Sequence, residues 1–341
     1  MLKRFLAILL AIGLILAVSS CPLVPETIVP ETSGNVVTID GKTITSPTTW
    51  TKDNLYYVKS WAVFTSSLTI EPGTIVAFGT ASGASGNLTV EGQLTAVGTS
   101  TEPIVFTSVK EGFAGYTIPG ITGTPAVGDW DYIWIKGASS KLQYCQVRYC
   151  TQGVEVAANS VTVQNDTFTN NTIGLDARSA GTGFVVGSNT FYGNTHPFYG
   201  GLNFSIDDSN TFNNGGSVTN TYQAIEFNSG YIDGSITWGC KTVAFAASQT
   251  GGWFNIPNVT TLTLGAGAVL KFADGGGLTI ANGGILTGFG GAYFTSIRDD
   301  LLLGDSNGDG TSLGTSGIWD GISDIASGLY VSGTNIHFNA N

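Results

Sequence analysis

NDTFTNN (165–171), SNTFYGN (188–194) and SNTFNN (209–214) recur in the middle of this chain. They set Phe168, Phe191 and Phe212 at intervals of 23 and 21 residues. Short alternating runs surround them: Val154/Val156, Val161/Val163, Leu202/Phe204/Ile206 and Ile225/Phe227. Period-two alternation predicts strands with one buried face. No segment sustains a 3.6-residue pattern, and Gly, Asn, Asp and Ser fill the intervals as turn residues. Short strands repeating at this period predict an all-β, single-stranded parallel β-helix, a solenoid. Each coil then holds about three strands and three bends, and coils stack about 4.8 Å apart. Residues at one coil position form ladders. Phe168, Phe191 and Phe212 are expected to stack inside, and Asp166, Asn189 and Asn210 to form a polar ladder at a bend. A β-sandwich explains neither the coil period nor the ladder register.

A longer repeat flanks this region. LTIEPGTIVAFG (68–79) matches LTLGAGAVLKFA (262–273), and NLTVEGQLTAVGT (87–99) matches GLTIANGGILTGFG (277–290). IVFTSVKEG (104–112) then answers AYFTSIRDD (292–300), and GDWDYI (128–133) answers GIWDGI (317–322). Four ordered matches predict an internal duplication, about 45–135 and 236–325, within a solenoid covering 45–341. The fold itself is expected to begin near residue 36. After Trp319 only about one coil remains. Its exposed end calls for an unusual cap, a longer parent chain or a covering partner.

LTIEPGT, LTVEGQLTAVGT, PIVFTS and the W-x-x-I stretch resemble secreted bacterial proteins with a right-handed, pectin-lyase-like parallel β-helix. Many of these are surface-exposed or lipid-anchored. The resemblance covers nearly all of residues 45–341 and speaks for fold more than function, because such proteins include enzymes, adhesins and scaffolds.

Of the 341 residues, 48 are glycine and only 11% are charged, with a formal charge of −11. So acidic a protein is not expected to bind nucleic acid or an anionic membrane surface electrostatically. Met1–Arg4 give a basic start, an apolar run follows to Val18, and Val18-Ser19-Ser20-Cys21 resembles a bacterial lipobox. Residues 1–20 therefore read as a lipoprotein signal peptide, with Cys21 as the lipidated residue; a plain secretory signal is the alternative. Residues 21–44, with VPET twice, read as a Pro/Thr-rich tether. These features predict an extracytoplasmic, lipid-anchored protein at the cell surface or outer membrane. Cys145, Cys150 and Cys240 allow at most one internal disulfide, and buried inert thiols are the preferred reading.

DDLLLGDSNGDG (299–310) is the main candidate for a metal site. Asp305, Asn307, Asp309 and Gly310 match the opening of an EF-hand loop, but Ser316 stands where the closing glutamate belongs. Hard oxygen ligands favour structural Ca²⁺, with Asp299 and Asp300 closing the cage. The competing readings are a solvated Asx-turn loop and a catalytic metal. The resemblance brings FTS-x-x-DD followed by GD-x-N-GDG with it. The first copy carries Lys110, Glu111 and Gly112 in place of Arg298, Asp299 and Asp300, which argues for local reinforcement rather than catalysis.

Polysaccharide lyases on the resembled fold need a Lys or Arg base, and hydrolases need paired carboxylates. Lys136, Lys141, Arg148 and Arg178 are the central bases. Asp176, Arg178, Asp207 and Asp208 form the best catalytic constellation, a weak one whose ordinary reading is solvated salt bridges. His196 reads as a turn residue and His337 as a strand residue. Trp50, Tyr56, Tyr57, Trp61, Trp130, Trp134, Tyr192 and Tyr199 are candidates for stacking on sugar rings, though core or turn packing is the favoured reading for each, and Trp130, which recurs as Trp319 in the second copy, is assigned to structure. The favoured function is non-catalytic: a scaffold recognising a glycan or surface protein. An enzyme acting on acidic polysaccharide is the alternative.

Overall fold

The computed structural model describes residues 34–81 and 84–339. The signal peptide, Cys21 and the VPET repeats lie outside the described residues. The chain forms a parallel β-solenoid of about ten turns, with only two three-residue 3₁₀ segments, Val109–Glu111 and Phe289–Gly291, among the described residues. Coiling begins before the boundary expected at residue 45. Asn35–Ile39 pairs with Asn54–Val58, and Lys42–Ile44 pairs with the strand Trp61–Phe64, so residues 35–44 belong to the first coil and not to the tether.

Through the first half each coil lays one strand on each of three sheets, of seven, eleven and six strands. One coil, for example, runs through Thr167–Thr169, Ile173–Ala177 and Val185–Gly187. Residues 207–223 then interrupt this order. Beyond them the eleven-stranded sheet continues alone from the first half, beside new sheets of five and three strands. The matched sequences consequently occupy different sheets. Ile75–Phe78 and Ile104–Ser108 lie in the seven-stranded sheet, whereas their counterparts Val269–Phe272 and Tyr293–Ser296 lie in the eleven-stranded one. The local packing nonetheless corresponds. Trp130 stacks on Phe78 at 4.1 Å and Trp319 on Phe272 at 4.6 Å. Each indole N–H donates 2.8 Å to a backbone carbonyl, of Arg148 and His337 respectively.

The expected core ladder is present. Phe168, Phe191 and Phe212 are fully buried, and successive rings stack at 4.9 and 5.1 Å. Stacking of this kind contributes about 0.5–1.5 kcal/mol per pair beyond burial. Two polar ladders flank it. In the first, Asn189 Oδ1 accepts from the Asp166 backbone N–H at 2.9 Å, and Asn210 Oδ1 accepts from the Asn189 N–H at 3.1 Å. The second was not foreseen: Asn171, Asn194 and Asn220 repeat the arrangement on the other side of the phenylalanines. Their Nδ2 groups donate to the carbonyls of Val147, Phe168 and Phe191. The cause is local. Asn165, Asn170, Ser188 and Gly193 take left-handed φ values of 56–67°, turning the chain and aiming the next backbone N–H inward. A buried N–H without an acceptor costs about 1–3 kcal/mol, and the amide of the next coil supplies that acceptor.

Cys145 and Cys150 head these two ladders, and their N–H groups donate to Asp166 and Asn171. They and Cys240 are buried free thiols, each pushed up in pKa chiefly by burial. Asp166 is the one acid in this set. Burial pushes its carboxyl well above the usual range, and its Oδ2 finds no partner. The folded state therefore binds a proton that the unfolded state releases above its ordinary pKa, and stability falls as pH rises between the two values. Asp166→Asn should raise stability at pH 7 by about 1–3 kcal/mol. Urea unfolding at pH 5 and pH 8 checks this, and the gain should be larger at pH 8.

Candidate functional site

Strand alternation sends every second side chain outward, and register aligns these into rows across the eleven-stranded sheet. One row reads Val63, Thr89, Trp134, Glu155, Asp176, Tyr199 and Glu226. It contains Asp176, whose two oxygens accept from Arg178 Nε at 3.0 and 3.2 Å. Arg178 also lies 4.8 Å over the Tyr199 ring. Glu155, beside Asp176, is raised in pKa first by burial and then by that neighbouring carboxylate. Further along, His196 Nδ1 meets the buried Glu226 at 2.6 Å, with its ring between Tyr199 and Tyr222. His196 thus opens the strand His196–Gly200 and belongs to a polar network, where a turn was expected. Asp176 is thus paired with Arg178, and Glu226 with His196.

Asp207 and Asp208 stand elsewhere. Asp207 lies beside the end of the six-stranded sheet and accepts from the Ser209 N–H, while Asp208 pairs with Lys241 at 2.8 Å. The two halves of the expected catalytic constellation are therefore not brought together. Among the other bases, Lys136 pairs with Glu91 and Arg148 with Glu111, both at 2.9 Å, and Lys141 is exposed on the six-stranded sheet.

The acidic loop folds back over the outer face of the eleven-stranded sheet. Asp300, Asp305 and Asp309 each bring a carboxylate oxygen within 4.8 Å of the others. Asp305 also accepts from the N–H groups of Asn307, Gly308 and Gly310, as an Asx-turn loop does. Asp300 Oδ1 is buried and has no partner. The remaining two expected ligands turn away. Asp299 Oδ2 accepts from Thr295 Oγ1 at 2.7 Å beneath the loop, and Asn307 directs its Nδ2 to Asp309 at 2.8 Å. Three of the five residues thus fit a hard cation, and the orphaned oxygen is the strongest mark of fit. Sequence reading missed Lys271, which is wholly buried under the loop and donates to the Gly304 carbonyl at 2.7 Å. Burial lowers it to about 8. Its counterpart in the first copy is Ala77, covered by Val109 and an apolar segment with Phe113, Ile118 and Ile121.

Half of the aromatic candidates are buried in packing. Trp50 stacks on Tyr56 at 4.6 Å, Trp130 on Phe78, and Tyr57 is buried. Trp61 and Trp134 differ. Trp61 is 41% exposed and lies against Gly41, where an added Cβ would meet the indole at 3.4 Å. It pairs in register with Asn87, which neighbours Tyr132 on the next coil, so Trp61 and Tyr132 stand two coils apart, about 9.6 Å. Tyr132 meets Trp134 edge to face at 6.4 Å, and Lys136 lies 4.7 Å over Trp134. The indole N–H of Trp134 has no protein acceptor. The pairing shifts register between Trp130 and Tyr132, opposite Gly153. Gly153 has φ 56°, and a Cβ there would lie 2.0 Å from the Gly174 carbonyl oxygen, so only glycine fits the bulge. Tyr132, absent from the expected set, is found by extending the row from Trp61.

No helix among the described residues is long and apolar enough to cross a membrane. No protein-family model, no curated protein and no solved structure matches the chain.

Proposed function

We propose that this protein is a non-catalytic recognition scaffold, displayed outside the cytoplasm on a lipidated Cys21, that binds a glycan along the outer face of its longest sheet. The observation carrying this reading is the platform of Trp61, Tyr132 and Trp134, with Asn87 between the rings. Two rings separated by two coil steps are spaced close to the length of a disaccharide unit in an extended chain. Aromatic faces bind the apolar faces of pyranose rings, and the amide of Asn87 meets hydroxyls. Kinship with right-handed, pectin-lyase-like surface proteins belongs to the same reading, supported by the motifs at 68–79 and 87–108 and by the stacked parallel coils. A polysaccharide lyase or hydrolase has less support, because Asp176 and Arg178 are bound to each other on one sheet while Asp207 and Asp208 lie beside another.

Trp61→Ala and Trp134→Ala should each weaken binding on an immobilised glycan array at least tenfold, about 1.4 kcal/mol. Unchanged binding in both variants, or no glycan bound by the intact chain, overturns the reading.

The acidic loop fits a structural Ca²⁺ held by Asp300, Asp305 and Asp309, a reading supported by the orphaned Asp300 Oδ1. When bound, the ion neutralises like charges that otherwise repel. At a hundredfold excess over Kd such binding adds about 2.7 kcal/mol. Calcium should then raise Tm by roughly 5 °C over EDTA-treated protein, and an identical Tm in both counts against the site.

The anchor rests on the lipobox alone. Cys21→Ala should move the protein from the membrane pellet to the soluble fraction, and continued pelleting argues against lipidation.

A further inference from the structure

We infer that a second binding groove, on the outer face of the seven-stranded sheet, takes an uncharged, hydroxyl-rich ligand, a saccharide segment lying along the solenoid axis. The groove encloses about 490 Å³. Its floor follows from register. Thr167, Thr190 and Thr211 occupy one outward row on successive coils, with Gln146 before them, and Arg148, Thr169 and Tyr192 occupy the next. Asn213 and Asn214 form a wall.

Three features identify the ligand class. The first is an unmet hydrogen bond: Thr169 is 6% exposed, yet its buried hydroxyl has no partner, although the residue lines the groove. A buried hydroxyl left unpaired is costly, and rotation about χ1 would turn it to the groove, where a ligand hydroxyl supplies the missing partner. The second is charge. No carboxylate lines the groove, and its one cation, Arg148, is neutralised by Glu111 at 2.9 Å and bonded to Gln146 at 3.0 Å. Part of its donor set stays free to bind a neutral acceptor. The third is composition. Hydroxyls and amides both donate and accept, as a polyol requires, and Thr211 Oγ1 already donates to Thr190 Oγ1 at 3.1 Å in the manner of a hydroxyl chain. Other ligands fit poorly. A peptide cannot add as a strand here, because the groove lies over a sheet face and not at an edge. Nucleic acid is opposed by a net charge of −11 against a single guanidinium.

This groove lies on a different sheet from the aromatic platform and contains no tryptophan. The two sites are therefore separable by experiment. The full-length chain would be titrated calorimetrically with cellohexaose, mannohexaose, xylohexaose and a galacturonic acid hexamer while tryptophan emission is followed. An uncharged hexamer should bind with no change in emission. Thr190→Val and Thr169→Val, near-isosteric and suited to strands, should each weaken that binding at least tenfold, and Tyr192→Ala serves as a third variant if either fails to fold. The proposal is overturned if no uncharged hexamer binds at millimolar concentration without altering emission. It is equally overturned if only the galacturonic acid hexamer binds there, or if the threonine variants bind as the parent does. Loss of platform binding in Trp61→Ala leaves this result untouched.

Discussion

Coil-over-coil register is the constraint on which this structure depends. Apart from the antiparallel pairs at Thr80–Ser85 and Ser323–Tyr330, strands pair in parallel with those a coil earlier, so a side chain meets its counterpart about 4.8 Å away along one axis. The inward rows give the phenylalanine stack, the bends give the two amide ladders, and the outward rows give the platform and the threonine floor. A coil of altered length is tolerated only where the extra residues leave the stack. The insertions at 109–129 and 298–318 both do so, leaving after a strand and returning to tryptophans packed alike.

The amide ladders explain how bends composed of strained residues persist. Left-handed φ at a residue other than glycine costs about 1–2 kcal/mol, and several such positions recur coil after coil. The amide of the following coil offsets this by accepting the inward N–H and donating to a carbonyl one coil back. Asparagine suits the position because it carries both functions on one short side chain.

Much of the fold was legible because its signal is periodic. The phenylalanine spacing gave the coil, and Asp166, Asn189 and Asn210 were readable at a fixed offset from it. The second ladder had the same signal, three residues after Phe168 and Phe191, but Asn220 breaks the spacing because the chain detours before it. The candidate site was less legible, because sequence spacing does not reveal which sheet a bend residue faces. Asp207 follows Arg178 by little more than a coil, yet it belongs beside the six-stranded sheet. Asp299 and Asp300 are adjacent, so one turns under the loop when the other turns into it. Lys271 reads as an ordinary strand residue, and only the loop folded above it makes it a buried cation. Trp61 and Trp134 were indistinguishable by type from the buried Trp50 and Trp130.

Ala77 and Lys271 occupy the same place in the two copies, and each is roofed by a different insertion. One roof is greasy and rests on a methyl group; the other is anionic and rests on an ammonium. Floor and roof are thus a matched set. Transplanting the acidic segment onto the first copy would strand carboxylates above alanine, and transplanting the apolar segment onto the second would entomb an unanswered charge. A chimaera that exchanges only one of the two partners inherits a mismatch.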